Sequence, residues 1–211
     1  DEVAKTGASA IKLQTLKPEN ITLNSNSVEF IISDKKSKWN NLKLYDLYKK
    51  SQTPWEWHKI IFEKAKKLGL YAFSTPFDLT AVDFLEKLKV PMYKIASFEN
   101  NHLPLIGHVA KTKKPLIIST GMASIQEIAE MVKVARKNGC KNLTLLKCTS
   151  AYPAQIKESN ILTVPDMKKK FSCNVGLSDH TISNLACFSA VALGADILER
   201  HFTDRMDRIG P

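Results

Sequence analysis

A chain of 211 residues makes one large domain or two small ones, so length alone leaves the domain count open. Hydrophobic residues at 44% and charged residues at 25% match an ordinary globular chain, which excludes disordered, collagen-like and coiled-coil classes. Lys and Arg number 31 against 21 Asp and Glu, and the net charge of +10 concentrates anions, whether phosphorylated metabolites or nucleic acid. The lysines are spread along helical stretches such as Glu63-Lys64-Ala65-Lys66-Lys67 and Lys168-Lys169-Lys170, as on solvated helix faces. That distribution favours a small anionic ligand over a nucleic-acid-binding module.

There is no run of about 18 apolar residues, and Asp1-Glu2-Val3-Ala4-Lys5 lacks a secretory-signal pattern, so no membrane partner is expected. Cys140, Cys148, Cys173 and Cys187 fit no C-x2-C spacing and read as buried thiols of a reducing, cytoplasmic compartment. With no initiator Met, a helix tail at its start and an unfinished loop at its end, the chain reads as cut at both ends.

In chain order, the first strand is expected at 10–13. A long excursion follows from about Asn20 to Gln52, where the Asn24-Ser25-Asn26-Ser27 turn signal beside Val28-Glu29-Phe30-Ile31-Ile32 suggests a hairpin or an inserted excursion. Thr53-Pro54-Trp55-Glu56 reads as a capping box with Thr53 as N-cap, Trp57, Ile61, Ala65 and Leu68 form an inward stripe, and Gly69 stops the helix. Strand 70–74 leads to a helix capped by Asp78 and running through Leu88, and strands 92–96 and 115–119 come next. Ser124-Ile125-Gln126-Glu127 is a second capping box, with Ile128, Val132 and Ala135 inward and Gly139 as the stop. Beyond strands 143–147 and 174–177, Ser183 or Asn184 opens a helix that closes at Gly194, and strand 196–199 is the seventh.

Strands alternating with amphipathic helices build a parallel sheet, either doubly wound or closed into a barrel. Nearly every strand ends in reactive polar residues: Lys12 and Gln14, Ser74 and Thr75, Lys94 and Ser97, Ser119 and Thr120, Lys147 and Thr149, Ser178 and His180, Glu199 and His201. A barrel collects such residues at one mouth, whereas a doubly wound sheet uses one switch point, and neither G-x-G-x-x-G nor a P-loop is present. The expectation is one α/β domain over 1–211, a TIM (β/α)8 barrel lacking its first strand and its C-terminal end.

Lys12, Lys94, Thr75, Ser97 and Ser119 would offer ammonium groups and hydroxyls to one anion, a phosphate or carboxylate cradle. Any single Ser or Thr at a strand end reads as easily as turn chemistry, but a lysine between apolar neighbours, as in Tyr93-Lys94-Ile95, needs an ionic partner. His180 and His201 end adjacent strands and would share one metal position, the alternative being hydrogen-bonded structural histidines. Lys147 suggests a different chemistry, an aldolase-type imine with a carbonyl substrate. Trp55 and Trp57 read as packing rather than a stacking platform.

Six segments resemble the sialic acid (nonulosonic acid) synthase family: Phe73-Ser74-Thr75-Pro76-Phe77, Tyr93-Lys94-Ile95-Ala96-Ser97-Phe98-Glu99, Ile118-Ser119-Thr120-Gly121-Met122, Lys147-Cys148-Thr149-Ser150-Ala151-Tyr152-Pro153, Val175-Gly176-Leu177-Ser178-Asp179-His180-Thr181 and Leu198-Glu199-Arg200-His201-Phe202-Thr203. The resemblance implies a TIM-barrel transferase that condenses phosphoenolpyruvate with an open-chain N-acetylated amino sugar, giving a nine-carbon 2-keto sugar acid and phosphate. It implies phosphoenolpyruvate contacts at Lys12, Thr75, Lys94, Ser97, Ser119 and Ser178, and sugar contacts at Glu99 and Tyr152. It also implies a divalent metal, Mn2+ or alternatively Mg2+, on His180 and His201, and a homodimer of the full-length protein. Ser150 stands where N-acetylneuraminate-forming enzymes tend to have Asn, and the segment from Ile21 to His58 is similar to pseudaminic acid synthases. The tail from Glu199 through Arg208 is more like N-acetylneuraminate and legionaminate synthases, so the amino sugar stays open.

Overall fold

The computed structural model describes every residue except Lys36, Met206 and 208–211, so two positions of the specificity-suggesting tail lie outside the described residues. In chain order its elements are α1 (Glu2–Lys5), β1 (Ala10–Thr15), α2 (Leu44–Ser51), α3 (Trp55–Lys67), β2 (Tyr71–Pro76), α4 (Leu79–Lys87), β3 (Tyr93–Ile95), α5 (Leu103–Lys111), β4 (Leu116–Ser119), α6 (Ile125–Lys137), β5 (Leu143–Cys148), α7 (Thr163–Phe171), β6 (Asn174–Asp179), α8 (Leu185–Ala192) and β7 (Leu198–Arg200). All six strand pairings are parallel and the spatial order is β1-β2-β3-β4-β5-β6-β7. A sheet whose order never reverses has no switch point, so it is an incomplete barrel rather than a doubly wound sheet.

Side-chain alternation gives this sheet two apolar layers. Ile95, Leu116, Ile118, Leu143, Leu145 and Val175 face outward and pack with Leu85, Val109, Met131 and Val164 of the helices. Phe73, Ile117 and Leu146 face inward with Ala10, Met92 and Ile197 and fill the barrel floor. On β6 that inner layer is occupied by Gly176, because a Cβ there would overlap the backbone carbonyl of Ile197 and crowd Leu146 Cδ2.

Two helix starts behave as their sequences dictate. Ser124 and Glu127 form a reciprocal capping box on α6, and Asp78 Oδ1 accepts the Ala81 amide at 2.9 Å at the start of α4. The Thr53 capping box does not form. Pro54 is extended at φ −52° and ψ 133°, so α3 starts at Trp55 with Pro54 as an N-cap lacking a side-chain bond. The inward stripe of α3 is also displaced: Trp57 is 55% exposed and Leu68 39%, while His58, Phe62 and Ala65 pack inward. His58 sets this rotation, because its Nε2 lies 2.8 Å from Thr15 Oγ1, which in turn lies 2.7 Å from Ser74 Oγ. Trp55 does pack, stacked on Phe84 with ring centroids 4.6 Å apart and Nε1 donating to Leu16 O.

Among the described residues, the excursion after β1 holds no hairpin of two strands but single turns at Pro18–Asn20 and Val28–Phe30, an antiparallel bridge between Ile31 and Lys43, and α2, so of the two expectations it is the inserted excursion. At α8, Ser183 Oγ accepts the Leu185 amide, while Asn184 occupies the N-cap without a side-chain bond. All four cysteines are free; Cys140, Cys148 and Cys187 are buried and Cys173 is half-buried. No helix among the described residues is long and apolar enough to cross a membrane.

Candidate active site

Two residues beyond the apolar floor, toward the C-terminal ends of the strands, the inward positions become Lys12, Thr75, Lys94, Ser119, Cys148, Ser178 and Glu199. The period of two places all seven on the same face as the floor; Cys148, Ser178 and Glu199 share one register level, while Lys12, Lys94 and Ser119 are paired with the floor residues Phe73, Ile117 and Leu146 of the next strand. Lys94 is 2% exposed; its Nζ donates to Ser119 Oγ at 2.7 Å and lies 3.4 Å from Glu199 Oε1. Lys12 Nζ lies 3.4 Å from Glu199 Oε2, and Ser178 Oγ donates to Glu199 Oε1 at 2.9 Å. Burial pulls the Lys94 ammonium below its ordinary pKa, Glu199 opposing and Lys12 adding to the effect. Burial would raise the Glu199 carboxyl, but the two ammonium groups outweigh it and hold it well below the usual carboxylate range. The result is a cationic cluster bridged by one internal carboxylate, and on the same face of the sheet the buried Thr75 hydroxyl lacks a partner among the described residues.

The turn after β3 adds a second set. Ser97 Oγ accepts the Gly121 amide at 3.2 Å, and a Cβ on Gly121 would collide with Ser150 Oγ and Ser97 Oγ, so these three backbones converge on one point. Ser150 Oγ and Glu99 Oε2 are buried without partners. Burial pushes the Glu99 carboxyl up to about 7 despite its own amide and Lys94. Burial, and after it the charge of Glu99, lifts the Tyr48 phenol, which sets Tyr48 of α2 in the electrostatic neighbourhood of the mouth.

His180 and His201 follow the β6–β7 register pair Asp179 and Arg200, and their ring centroids are 5.3 Å apart. Tyr152 packs against His180 with the rings tilted by 32° and their centroids 4.1 Å apart, and it meets His201 edge-on at 5.6 Å. Thr149 O lies 2.8 Å from His180 Nδ1, so that nitrogen carries the proton and the neutral ring keeps its lone pair on Nε2. Burial lowers the His180 pKa, but hydrogen bonds with Cys148 and Thr149 outweigh it and the net direction is up. His201 moves down, through burial and the positive charges of His180 and Lys12. Among the described residues no group of three or more His, Cys, Asp or Glu could hold a metal. Two adjacent imidazoles, one of fixed tautomer, fit an open site that takes its remaining ligands from solvent or substrate.

Lys147 does not join this ring. It has the outward parity of Leu143 and Leu145, and its Nζ donates to Thr149 Oγ1 at 2.6 Å and to Cys148 O at 3.2 Å beneath α6 and α7. An imine on Lys147 would form on the wrong side of the sheet, which corrects the aldolase-type expectation. Conversely, Cys148, expected only as a buried thiol, and Glu199, expected only as one of the polar strand ends, both join the ring. Burial raises the Cys148 thiol, yet hydrogen bonds with His180, Ser97 and Ser178 outweigh it and the net direction is down. The signal for both was alternation: each stands two residues beyond an inward apolar residue, Leu146 or Ile197.

The family model described as the NeuB family matches residues 1–211. The chain belongs to the NeuB family. This NeuB-family chain is 45% identical over 198 residues to the pseudaminic acid synthase of Campylobacter jejuni, covering 94% of itself and 57% of that protein. It is 38% identical over 211 residues to an N,N'-diacetyllegionaminic acid synthase of the same species, covering 99% of itself and 62% of that protein. Among solved structures, the N-acetylneuraminic acid (sialic acid) synthetase of Leptospira borgpetersenii in complex with citrate superposes with a TM-score of 0.82 at 28% identity, covering 96% of this chain and 65% of that one. The NeuB-family chain thus spans about three-fifths of the length of the curated relatives it matches.

Proposed function

We propose that the protein carrying this chain is a phosphoenolpyruvate-dependent nonulosonic acid synthase. It would join C3 of phosphoenolpyruvate to the aldehyde carbon of an open-chain N-acetylated amino sugar, add water at C2, and expel phosphate by C–O cleavage. The observation that carries this reading is the convergence of Lys12 and Lys94 on one carboxylate, on the sheet face that also carries the unpartnered Thr75 hydroxyl. Such a cluster holds a second small anion through charge-assisted bonds, with Ser119 and Ser178 supplying hydroxyls at its rim. Ser97 belongs to the same wall through the Gly121 amide.

Glu99, Ser150 and Tyr152 suit the sugar. Glu99 Oε2 and Ser150 Oγ are buried polar atoms awaiting partners, and a carboxyl poised near neutrality can give or take a proton at a sugar hydroxyl. Tyr152 supplies an aromatic wall beside His180. His180 and His201 would hold a divalent cation, Mn2+ or Mg2+, whose chemistry there is Lewis-acid polarisation of an aldehyde oxygen. Lys12 and Lys94 orient the anionic partner so that its nucleophilic carbon meets that aldehyde without a diffusional search. The higher identity to a pseudaminic acid synthase favours the pseudaminic-type amino sugar over the legionaminic-type.

A product assay on the full-length protein tests the reading, with phosphoenolpyruvate and Mn2+ against N-acetylmannosamine and its diacetamido relatives. Phosphate release that requires all three components, with a nine-carbon acid as product, is the expected result. Release without the sugar, or turnover that survives chelation, would overturn the reaction or the metal respectively.

A further inference from the structure

The two histidines inherit their placement from an ion pair on the other face of the sheet. Asp179 and Arg200 are Cα partners in the β6–β7 register, and His180 and His201 are the next residue on each strand. Asp179 is 4% exposed, and Arg200 Nε lies 3.6 Å from its Oδ2. The guanidinium also donates to Asn184 Oδ1, to Thr181 O and, at 3.4 Å, to Ile182 O. Asp179 Oδ1 accepts the Thr181 amide at 2.9 Å, while its Oδ2 accepts Thr181 Oγ1 and Cys187 Sγ at 3.2 Å each. The whole turn from Asp179 to Asn184, with His180 inside it, is therefore tied to the residue that precedes His201.

We propose that Arg200 is a positioning residue that sets the distance and mutual tilt of His180 and His201 by clamping the β6–α8 turn to β7. It rests on the reading of the two imidazoles as a metal pair and adds a residue to it. The planar, five-donor fork suits this task, because it meets a carboxylate, two carbonyls and an amide oxygen at fixed angles. Without the fork, the Asp179 carboxylate loses its cation and the turn keeps only its internal bonds, so His180 is free to shift relative to His201. Metal sites degrade steeply with such shifts, since outer partners of a ligand typically change affinity by about 10- to 100-fold.

The test measures Mn2+ binding by the full-length protein, from the paramagnetic resonance signal of the free ion, alongside inorganic phosphate binding by calorimetry. Arg200→Gln is expected to weaken Mn2+ by about 10- to 100-fold and leave phosphate within about two-fold, because Lys12, Lys94 and Glu199 face the barrel interior, on the opposite side of the sheet from Arg200. Arg200→Lys, which keeps the cation but not the fork, is expected to fall between the two. If Arg200→Gln does not fold, Asn184→Ala removes one arm of the clamp and is expected to weaken Mn2+ by about three-fold, a fraction of the full effect. Mn2+ binding unchanged in these variants, or Mn2+ and phosphate weakened equally, overturns the clamp and leaves the metal reading intact. Failure of the unsubstituted protein to bind Mn2+ overturns the metal reading, and the clamp with it.

Discussion

Glu199 Oε1 lies 3.4 Å from Lys94 Nζ, and the two residues belong to strands that do not pair, β7 and β3. Their contact crosses the barrel interior, and Glu199 meets Lys12 on β1 from its other oxygen. An anionic substrate must share these cations with Glu199. Glu199→Gln is expected to raise affinity for inorganic phosphate by about 10-fold, or about 1.4 kcal/mol, as read by calorimetry at neutral pH. The same variant leaves two ammonium groups facing each other and is expected to lose about 2 kcal/mol of stability in urea. That is less than the usual cost of breaking a fully buried pair, because Glu199 is 19% and Lys12 22% exposed.

Glu99 supplies a pH signature. Its carboxyl titrates near 7 when folded and at 4.5 when unconstrained, so between these values the folded state holds a proton that the unfolded state has lost. Stability contributed at low pH is thus lost as pH rises through that window and levels off above it. Glu99→Gln is expected to match the parent at about pH 4 and exceed it at about pH 8, as read by urea midpoints at both.

Gly176 tests the floor of the barrel. A methyl group there meets the Ile197 carbonyl, which is backbone and has no rotamer to escape into. Gly176→Ala is expected to cost about 3 kcal/mol, lowering the thermal midpoint by about 6–12 °C. A midpoint unchanged in calorimetry would mean that β6 and β7 separate more easily than their register implies.

Lys147 separates the two carbonyl chemistries. Lys147→Met is expected to keep turnover within about five-fold, and borohydride with substrate to leave no stable adduct on the protein. A trapped adduct on Lys147 would move the chemistry to the outer face of β5.

Much of the fold was legible along the chain because strand and helix periods differ and their boundaries carry local signals. Ser124 and Asp78 cap where their sequences say, since a cap is decided within four residues. Thr53 fails because Pro54 is extended, and α3 carries two overlapping stripes, Trp57 with Ile61 and His58 with Phe62. Periodicity treats the stripes equally, and the hydrogen bond between His58 and Thr15 of β1 chooses between them. Lys147 escapes sequence reading for the same kind of reason: a strand of 143–147 reveals the alternation but not which face is inside.

The sequence by itself determined the order of the parallel units, the residues at each strand end and the family, because these depend on local periods and on motifs written along the chain. Only the tertiary structure decided that Cys148 and Glu199 face inward while Lys147 faces out, and that Glu199 bridges Lys12 and Lys94. Those facts depend on the register and curvature of the whole sheet, where burial, charge pairing and packing are settled among strands far apart in the chain.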